Sequence, residues 1–465
     1  MDSSVDPKQP FFRALMLPWL AHGHLSPFLE LAKLLSSSYN IAVFLCSTPV
    51  NIQSVRERRH LDVIAFPLIH LVELHLPNSA LPAHLHTTKH LPPNLMPDLK
   101  TAFDGAAAAF GAILDSVSPH LLIYDLIQPW APLSAAGRGI PAVFFLPIAA
   151  SSAAAFCHRL LRPAEQFPFP ALEFPETESA EILKVIRKES NRMSDGERLL
   201  QCFHRSSGFV AIKTFSEIEN KYIEYLSSIV GKEIVPVGPL ISGGAGEDGW
   251  RGQSYVAEWL CWQEPASVVF VSVGSEYFLT EEERWEMSRG LELSGFSFIW
   301  VVRFAGGEGG GLPPSLPARG LVVEGWAPQY KILEHPSVGG FLTHCGWSSV
   351  LEGMSNGVPM IALPLQIDQP FNARLMVELG VALEVEKKGG RFSGEEVARC
   401  VREVMAGEAG KRVRRRSKEM KGIMADRKDD EIKDMVGRMA ALVTTRKAEF
   451  FPQQSSPAAA AGLVK

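Results

Sequence analysis

The sequence predicts an α/β chain built from two doubly wound parallel sheets that face each other across a cleft. Short, nearly continuous apolar runs alternate with helix-length segments along most of the 465 residues. Such runs are typical of parallel strands that are buried on both faces. The series is interrupted by a glycine-rich polar stretch at residues 241–249 and restarts near Ser254. In sheets of this kind, ligands bind beyond the carboxyl ends of the strands, so we expect one shared cleft.

The apolar runs assign the strands of each sheet. In the first half they are residues 14–18, 41–45, 121–124, 142–146 and 209–212. In the second half they are residues 268–273, 298–302, 320–324, 340–343 and 360–363. This pattern predicts an N-terminal domain over 1–240, a linker over 241–253 and a C-terminal domain over 254–449, whose last helix packs back on the N-terminal domain. A Gln-, Ser-, Pro- and Ala-rich tail over 450–465 is expected to be disordered.

Composition and charge exclude several partners. A formal net charge of -5 gives no electrostatic footprint for nucleic acid or for an anionic membrane. The first apolar run is broken by Arg13 and Pro18, so it fits neither a signal peptide nor a membrane span. The six cysteines are scattered without a C-x-x-C pair, which favours neither a disulfide framework nor a zinc site. The cysteine pattern fits a reducing compartment, so we expect a cytoplasmic protein without an integral membrane segment. We also expect a monomer.

Residues 326–369 carry the groups that a nucleotide needs. Trp326 follows a strand and offers a flat apolar face to a base. Gln329 can present both a donor and an acceptor to the edge of that base. Glu352, on a helix predicted over 348–356, can accept hydrogen bonds from two ribose hydroxyls.

The same stretch contains an anion site and a sugar site. His344 follows a strand, and Ser348 and Ser349 open the predicted helix, whose free backbone N–H groups attract a diphosphate. Asp368 and Gln369 can grip adjacent sugar hydroxyls. A buried tryptophan, a capping serine and a surface Asp-Gln pair would explain any of these residues singly, but not the whole ordered series.

A second candidate site follows the first strand, in the run Ala-His-Gly-His-Leu-Ser. His24 at that strand–helix turn, directly before a helix predicted over 29–35, can remove a proton from a hydroxyl group. It needs a carboxylate on its other ring nitrogen, and Asp125 ends a neighbouring strand. His22 is the rival base. Taken alone, a Gly-His pair at a turn favours capping or packing, but its combination with residues 326–369 favours catalysis.

A third element is the turn after residues 268–273. Gly274 permits a close approach of the backbone, and Ser275 can contact a phosphate. An ordinary strand-to-helix turn would look the same.

Residues 326–369 resemble, without a gap, the signature box of plant UDP-sugar-dependent glycosyltransferases of small molecules, family 1. The resemblance implies a GT-B fold, an acceptor-binding domain over 1–240 and a UDP-sugar-binding domain over 254–449. It also implies a catalytic His24–Asp125 pair and no metal. The implied donor-site residues are Ser275, Trp326, Ala327, Gln329, His344, Trp347, Ser348, Ser349, Glu352, Asp368 and Gln369. The terminal Gln369 is the usual glucose pattern of that family, which implies UDP-glucose as the sugar donor.

One position departs from the family pattern. Most members have Asn where this chain has Ser348, and a hydroxyl offers one donor where an amide offers two. With serine at this position, the chain resembles the subgroup of the family that adds a sugar to a sugar already attached to a natural product. The expected reaction is inverting transfer of β-linked glucose to a terpenoid, saponin or flavonoid glycoside. Direct glucosylation of an aglycone, and use of UDP-rhamnose or another UDP-sugar, are the alternatives.

Two other classes of protein fit the sequence less well. A dinucleotide-dependent oxidoreductase would have G-x-G-x-x-G after its first strand, where this chain has Ala-His-Gly-His-Leu-Ser. A catalytically dead sugar-nucleotide-binding protein would lack the base, whereas His24 and Asp125 are both present.

Overall fold

The computed structural model describes residues 10–57, 65–77, 81–89, 91–241, 250, 252–304, 319–426 and 430–450. Most of the linker expected over 241–253 lies outside the described residues, as do positions 451–465 of the expected disordered tail. The described residues form two parallel sheets with helices packed around them.

The first sheet is a seven-stranded parallel sheet. Its strands are β1 (Arg13–Leu17), β2 (Ala42–Ser47), β3 (Ile69–Glu73), β4 (Leu121–Tyr124), β5 (Ala142–Leu146), β8 (Phe209–Ile212) and β9 (Glu233–Pro236), while β6 (Glu189–Ser190) and β7 (Met193–Ser194) form a separate hairpin. The order is β3-β2-β1-β4-β5-β8-β9. The chain builds outward from β1 to β3 and then returns to the other side of β1. This reversal opens a crevice between the carboxyl ends of β1 and β4.

Helices surround this sheet, because each parallel crossover needs one. They are α1 (His22–Tyr39), α2 (Pro49–Glu57), α3 (Met96–Asp104), α4 (Ala107–Val117), α5 (Trp130–Ala136), α6 (Ala150–Leu161), α7 (Glu176–Arg187), α8 (Asp195–Arg205) and α9 (Ser216–Val230). Single 3-10 turns lie at Ala83–Leu85, Pro93–Leu95 and Pro170–Leu172.

The second sheet repeats the design with six parallel strands. They are β10 (Val268–Ser272), β11 (Ser297–Val302), β12 (Gly320–Glu324), β13 (Val338–Thr343), β14 (Met360–Ala362) and β15 (Ala382–Glu384), in the order β12-β11-β10-β13-β14-β15. The accompanying helices are α10 (Ser254–Cys261), α11 (Glu281–Ser294), α12 (Gln329–Glu334), α13 (Trp347–Asn356), α14 (Gln369–Glu378), α15 (Gly394–Ala406) and α16 (Glu408–Asp426). Here the direction reverses between β10 and β13, so a second crevice opens there.

The two halves of the chain are in direct contact. Helix α14 packs on α6, where the rings of Phe156 and Phe371 lie 5.3 Å apart and Ser152 Oγ donates to Asn372 Oδ1 at 2.9 Å. The last helix, α17 (Asp430–Phe450), packs against β9 and buries Met435 and Met439 in the core of the first sheet. In the described part of the chain, no helix is both long and apolar enough to cross a membrane.

All ten strands expected from the apolar runs are present, within two residues at either end. The expected start of the first helix was wrong. The helix predicted over residues 29–35 begins earlier, at His22, and α1 runs through Pro27. Pro27 lies in the second turn, so it removes only one hydrogen bond from the helix. His24 therefore lies in the first turn of α1 and not in the loop before it.

Candidate active site

A cleft of about 2130 Å³ lies between the two sheets. Both topological reversals open onto it, because residues that follow β1 and β4 line one wall and residues that follow β10 and β13 line the other. All but one of the predicted site residues line this cleft: His24, Ser275, Trp326, Ala327, Gln329, His344, Trp347, Ser348, Ser349, Glu352, Asp368 and Gln369. The exception is Asp125, which is fully buried behind His24.

The strand register brings His24 and Asp125 together. Leu17 at the end of β1 pairs with Tyr124 at the end of β4, so the residues that follow these strands emerge side by side. His24 Nδ1 lies 2.8 Å from Asp125 Oδ2. The backbone N–H of Trp19 donates to the same carboxylate oxygen at 2.9 Å, and that of Leu126 donates to the other at 2.7 Å. The carboxylate is therefore held rigidly while it orients the imidazole.

The charges around His24 tune its basicity. Burial by itself lowers the pKa of the imidazole, but Asp125 raises it, helped by Glu276 and Asp368, and the pKa ends above the usual 6.5. A raised pKa makes His24 a stronger base than a free imidazole. Since Nδ1 faces Asp125, Nε2 is the nitrogen that remains for a hydroxyl group in the cleft.

Ser275 follows β10 in a turn shaped by Gly274. Gly274 has a φ of +81°, and a Cβ built on it would lie 2.4 Å from His344 Nε2. Only glycine allows the turn to come this close to the imidazole at that backbone angle. The turn after β10 and the residue after β13 therefore form one surface, as the pairing of Ser272 with Thr343 also requires.

His344 is set up as a neutral hydrogen-bonding group. Burial lowers the pKa of its imidazole to about 4, although a hydrogen bond to the backbone of Ser272 opposes the shift. Its Nδ1 atom is buried and has no hydrogen-bond partner among the described residues. A buried polar atom without a partner costs free energy, so this atom fits a site that a ligand completes.

Helix α13 presents its N-terminus to the cleft. Its first residues, Trp347, Ser348 and Ser349, have backbone N–H groups with no acceptor one turn earlier in the helix, as at any helix start. The Trp347 side chain points away from this site, because its indole Nε1 donates to the carbonyl of Lys213 at 2.5 Å in the first half of the chain. Trp347 can therefore contribute only its backbone to an anion.

The two residues predicted to contact the nucleoside, Gln329 and Glu352, are bonded to each other, and Gln329 also bonds Ser349 of the predicted diphosphate site. Gln329 Nε2 donates to Glu352 Oε2 at 2.8 Å and to Ser349 Oγ at 3.0 Å. Burial raises the pKa of Glu352, although Gln329 and the charge of Lys213 oppose the shift. A ribose that binds Glu352 would therefore compete with, or add to, an existing hydrogen bond.

The predicted base platform is open. The Trp326 side chain is 40% exposed, an unusual state for so large an apolar ring, and it lines the cleft. Its backbone carbonyl accepts from Gln253 Nε2. Ala327 is buried beside it, and its carbonyl accepts from the backbone N–H of Gln329 at 2.8 Å.

Asp368 and Gln369 lie at the start of α14. Burial raises the pKa of Asp368, while the hydrogen bond that Asn372 donates to Oδ2 at 3.0 Å and the charge of His24 oppose the shift. Gln369 Oε1 already accepts the backbone N–H groups of Leu365 and Gln366 at 2.9 Å each. Its amide nitrogen carries the remaining donors, so Gln369 offers hydrogen bonds to a sugar but hardly accepts them.

Sequence reasoning missed two charged residues of this site. Glu276 lines the cleft next to Ser275 and accepts from Thr88 Oγ1, across the cleft, at 2.9 Å. Lys213, just after β8, donates from Nζ to Ser348 Oγ at 2.8 Å. A lysine directly after the apolar run 209–212 was a signal in the sequence, because such a position is buried. The described residues hold no group of three or more His, Cys, Asp or Glu side chains arranged to bind a metal ion.

Both halves of this chain match models of known protein families. Residues 13–242 match the family model described as glycosyltransferase, N-terminal domain. Residues 260–419 match the model described as UDP-glucoronosyl and UDP-glucosyl transferase. The two matches together span both sheets.

Individual relatives match over nearly their whole length. A mogroside IIIx synthase of Siraitia grosvenorii is 43% identical over 92% of this chain and 93% of its own. A flavanone 7-O-glucoside 2''-O-beta-L-rhamnosyltransferase of Citrus maxima is 41% identical over 92% of this chain and 97% of its own. The solved structure of UGT73P12 from Glycyrrhiza uralensis superposes with a TM-score of 0.81 at 21% identity, covering 95% of this chain and 98% of that one. The fold is GT-B, as expected, and the chain belongs to the plant family 1 UDP-glycosyltransferases.

Proposed function

We propose that this UDP-glycosyltransferase transfers glucose from UDP-glucose to a hydroxyl group on the sugar of a plant small-molecule glycoside, with inversion at the anomeric carbon. The observation that carries the proposal is that the His24–Asp125 pair and the residues proposed to hold the donor line or adjoin one cleft. A base without the donor groups, or the donor groups without a base, would favour a different activity.

In this proposal the donor lies along the second sheet. Uracil stacks on Trp326, and the Ala327 backbone and Gln329 bind its edge. Glu352 holds the ribose. His344, Ser275, Ser348, Ser349 and the N-terminus of α13 hold the diphosphate, and Asp368 and Gln369 hold the transferred sugar. Two observations support this arrangement: the buried Nδ1 atom of His344 has no hydrogen-bond partner among the described residues, and the Trp326 side chain is partly exposed in the cleft.

The reaction is a single displacement. His24 Nε2 accepts the proton of the acceptor hydroxyl, and Asp125 stabilises the imidazolium that forms. The acceptor oxygen forms a bond to the anomeric carbon as the bond from that carbon to the UDP oxygen breaks, and the bonding electrons leave with UDP. The hydrogen-bond donors around the diphosphate stabilise its growing negative charge, so the proposal includes no metal.

The acceptor side of the cleft supports a glycoside over a bare aglycone. Apolar residues such as Leu91 and Leu199 line it together with the Lys100–Asp195 ion pair, and Glu276 bonds Thr88 of this side from the opposite wall. Apolar surface suits an aglycone, while the charge of Glu276, which acts on His24, suits sugar hydroxyls. The Citrus maxima relative is also named for an acceptor that already carries glucose.

The proposal that the donor sugar is glucose rests on Gln369, whose free amide N–H groups can donate to a sugar hydroxyl oxygen. The rhamnosyltransferase among the relatives makes UDP-rhamnose the competing donor.

We also propose that residues 1–240 bind the acceptor and residues 254–449 the donor. Location in the cytoplasm and a monomeric state stay predictions; six free cysteines, five of them buried, are compatible with a reducing compartment.

An activity panel tests the proposal. The enzyme is incubated with UDP-glucose or UDP-rhamnose and with matched pairs of terpenoid or flavonoid aglycones and their monoglucosides, and products are identified by mass. We expect glucose to be added to the monoglucosides only. Product from the aglycone with none from the monoglucoside would exclude glycoside extension, and product from UDP-rhamnose alone would replace the donor.

A further inference from the structure

Lys213 connects the first half of the chain to the donor site. It follows β8, and its side chain is only 2% exposed. Its Nζ donates to Ser348 Oγ at 2.8 Å, and its backbone carbonyl accepts from Trp347 Nε1 at 2.5 Å. Both ends of this residue thus contact the first turn of α13, which the donor diphosphate would approach.

The hydrogen-bond direction at Ser348 follows from the chemistry of lysine. An ammonium group has three donors and no acceptor, so Ser348 Oγ must be the acceptor in this pair. The hydrogen of the Ser348 hydroxyl is then free to point to another acceptor. Ser348 lines the cleft at the start of a helix, where that acceptor would be an anion.

Two carboxylates face the Lys213 ammonium, Glu352 from α13 and Glu30 from α1. The next residue, Thr214, directs its hydroxyl to Glu219 of α9, a carboxylate that also accepts two backbone N–H groups at the start of α6. Burial lowers the pKa of Lys213 to about 8, while Glu352 and Glu30 oppose the shift. At neutral pH the side chain is therefore mostly charged, about half of that charge is lost at a pH of about 8, and most of it is lost at a pH of about 9.

We propose that Lys213 is a positioning residue for the donor: it fixes the Ser348 hydroxyl as a hydrogen-bond donor to the UDP diphosphate and adds a positive charge behind it. Together, the Ser348 hydroxyl and the Lys213 charge would compensate for the second hydrogen-bond donor that an asparagine amide offers at this position and serine does not. This inference rests on the proposed donor site at α13. It differs from a purely structural contact because it couples Lys213 to UDP affinity through Ser348.

The test measures the UDP dissociation constant of the full-length enzyme by calorimetry. Wild-type enzyme should lose affinity by about tenfold between pH 7 and pH 9, as Lys213 loses its proton. Lys213→Met and Ser348→Ala should each weaken binding by about tenfold at pH 7, and the double variant should be no weaker than the weaker single variant. Lys213→Met should also lose the pH dependence, whereas Lys213→Arg should keep tight binding at pH 9.

Lys221→Met is the matched control, because Lys221 also bridges the two halves, through Glu378, but does not line the cleft. Its UDP affinity should equal that of the wild type. Affinity of Lys213→Met equal to the wild type, additive losses in the double variant, or a flat wild-type pH profile would each overturn the proposal. The wild-type profile needs no substitution, so a variant that fails to fold leaves the test intact. Absence of UDP binding by the wild type at pH 7 would instead contradict the proposed function.

Discussion

His24 Nδ1 lies 2.8 Å from Asp125 Oδ2, and two backbone N–H groups hold that carboxylate in place. The pair joins residues that are 101 positions apart in the chain and that follow two adjacent strands. Its geometry leaves Nε2 of the imidazole for the acceptor hydroxyl, which sets the direction of proton transfer in the proposed reaction.

Replacing Asp125 with Asn should lower turnover by about 10²- to 10⁴-fold, because the amide can neither orient His24 in the same tautomer nor stabilise its charged form. UDP affinity should not change, since Asp125 does not line the cleft. Steady-state kinetics and calorimetry measure the two effects. Asp115→Asn is the control: Asp115 also pairs with a cation, Arg138, but on the surface, and should keep full turnover. Equal losses in both variants would count against a catalytic pair.

The pH profile of transfer should have an acid limb set by His24. In the proposed reaction the neutral imidazole is the base, and the pKa of His24 is raised above 6.5 because the effect of Asp125, with those of Glu276 and Asp368, outweighs that of burial. Transfer should therefore fall as the pH drops through a value above 6.5. In Asp125→Asn the main cause of the increase is gone, so the limb should move to lower pH. A limb that stays in place in this variant would mean that another group titrates.

Replacing Gly274 with Ala should weaken UDP binding and destabilise the protein. The new Cβ would meet His344 Nε2 at 2.4 Å, and the φ of +81° is itself strained for alanine by about 1–2 kcal/mol. Gly231→Ala is a matched control, because it has a φ of +64° but nothing within 4 Å of the added carbon. It should show the backbone penalty in thermal melting and normal UDP affinity. Equal UDP affinity in both variants would exclude a role for this turn.

Replacing Trp326 with Ala should reduce UDP affinity by about 1–3 kcal/mol, the range for stacking of a base on an aromatic ring. Thermal stability should change little, because the ring is 40% exposed. Trp262, which is 86% exposed and does not line the cleft, provides the control substitution. If Trp262→Ala and Trp326→Ala bind UDP equally well, the uracil lies elsewhere.

The sequence carried enough information for both sheets, because strands buried on both faces are almost continuously apolar. Of the strands in the two large sheets, the sequence did not reveal β3, β9 and β15, which all lie at sheet edges, where partial exposure breaks the apolar run. The predicted start of α1 was too late, because the helix continues through Pro27, its sixth residue, where the proline removes only the hydrogen bond of its own missing N–H.

Within the site, the sequence could indicate which residues meet in the cleft but not how they bond. The commitment of the Gln369 carbonyl to its own loop and the contact between Lys213 and Ser348 both depend on tertiary packing. Spacing along the chain holds no record of a contact between residues 135 positions apart. The sequence showed that Ser348 stands where most family members have asparagine, but it did not indicate that Lys213 bonds to it.

The most direct test of the proposed mechanism is His24→Ala, assayed for both transfer and UDP binding, with His22→Ala alongside. His24→Ala should lose transfer by about 10²-fold or more and bind UDP as tightly as the wild type, because the proposed base and the proposed donor residues lie on opposite walls of the cleft. His22→Ala should keep most of its turnover. Near-normal transfer by His24→Ala, with the loss falling on His22→Ala instead, would contradict the assignment of His24 as the base.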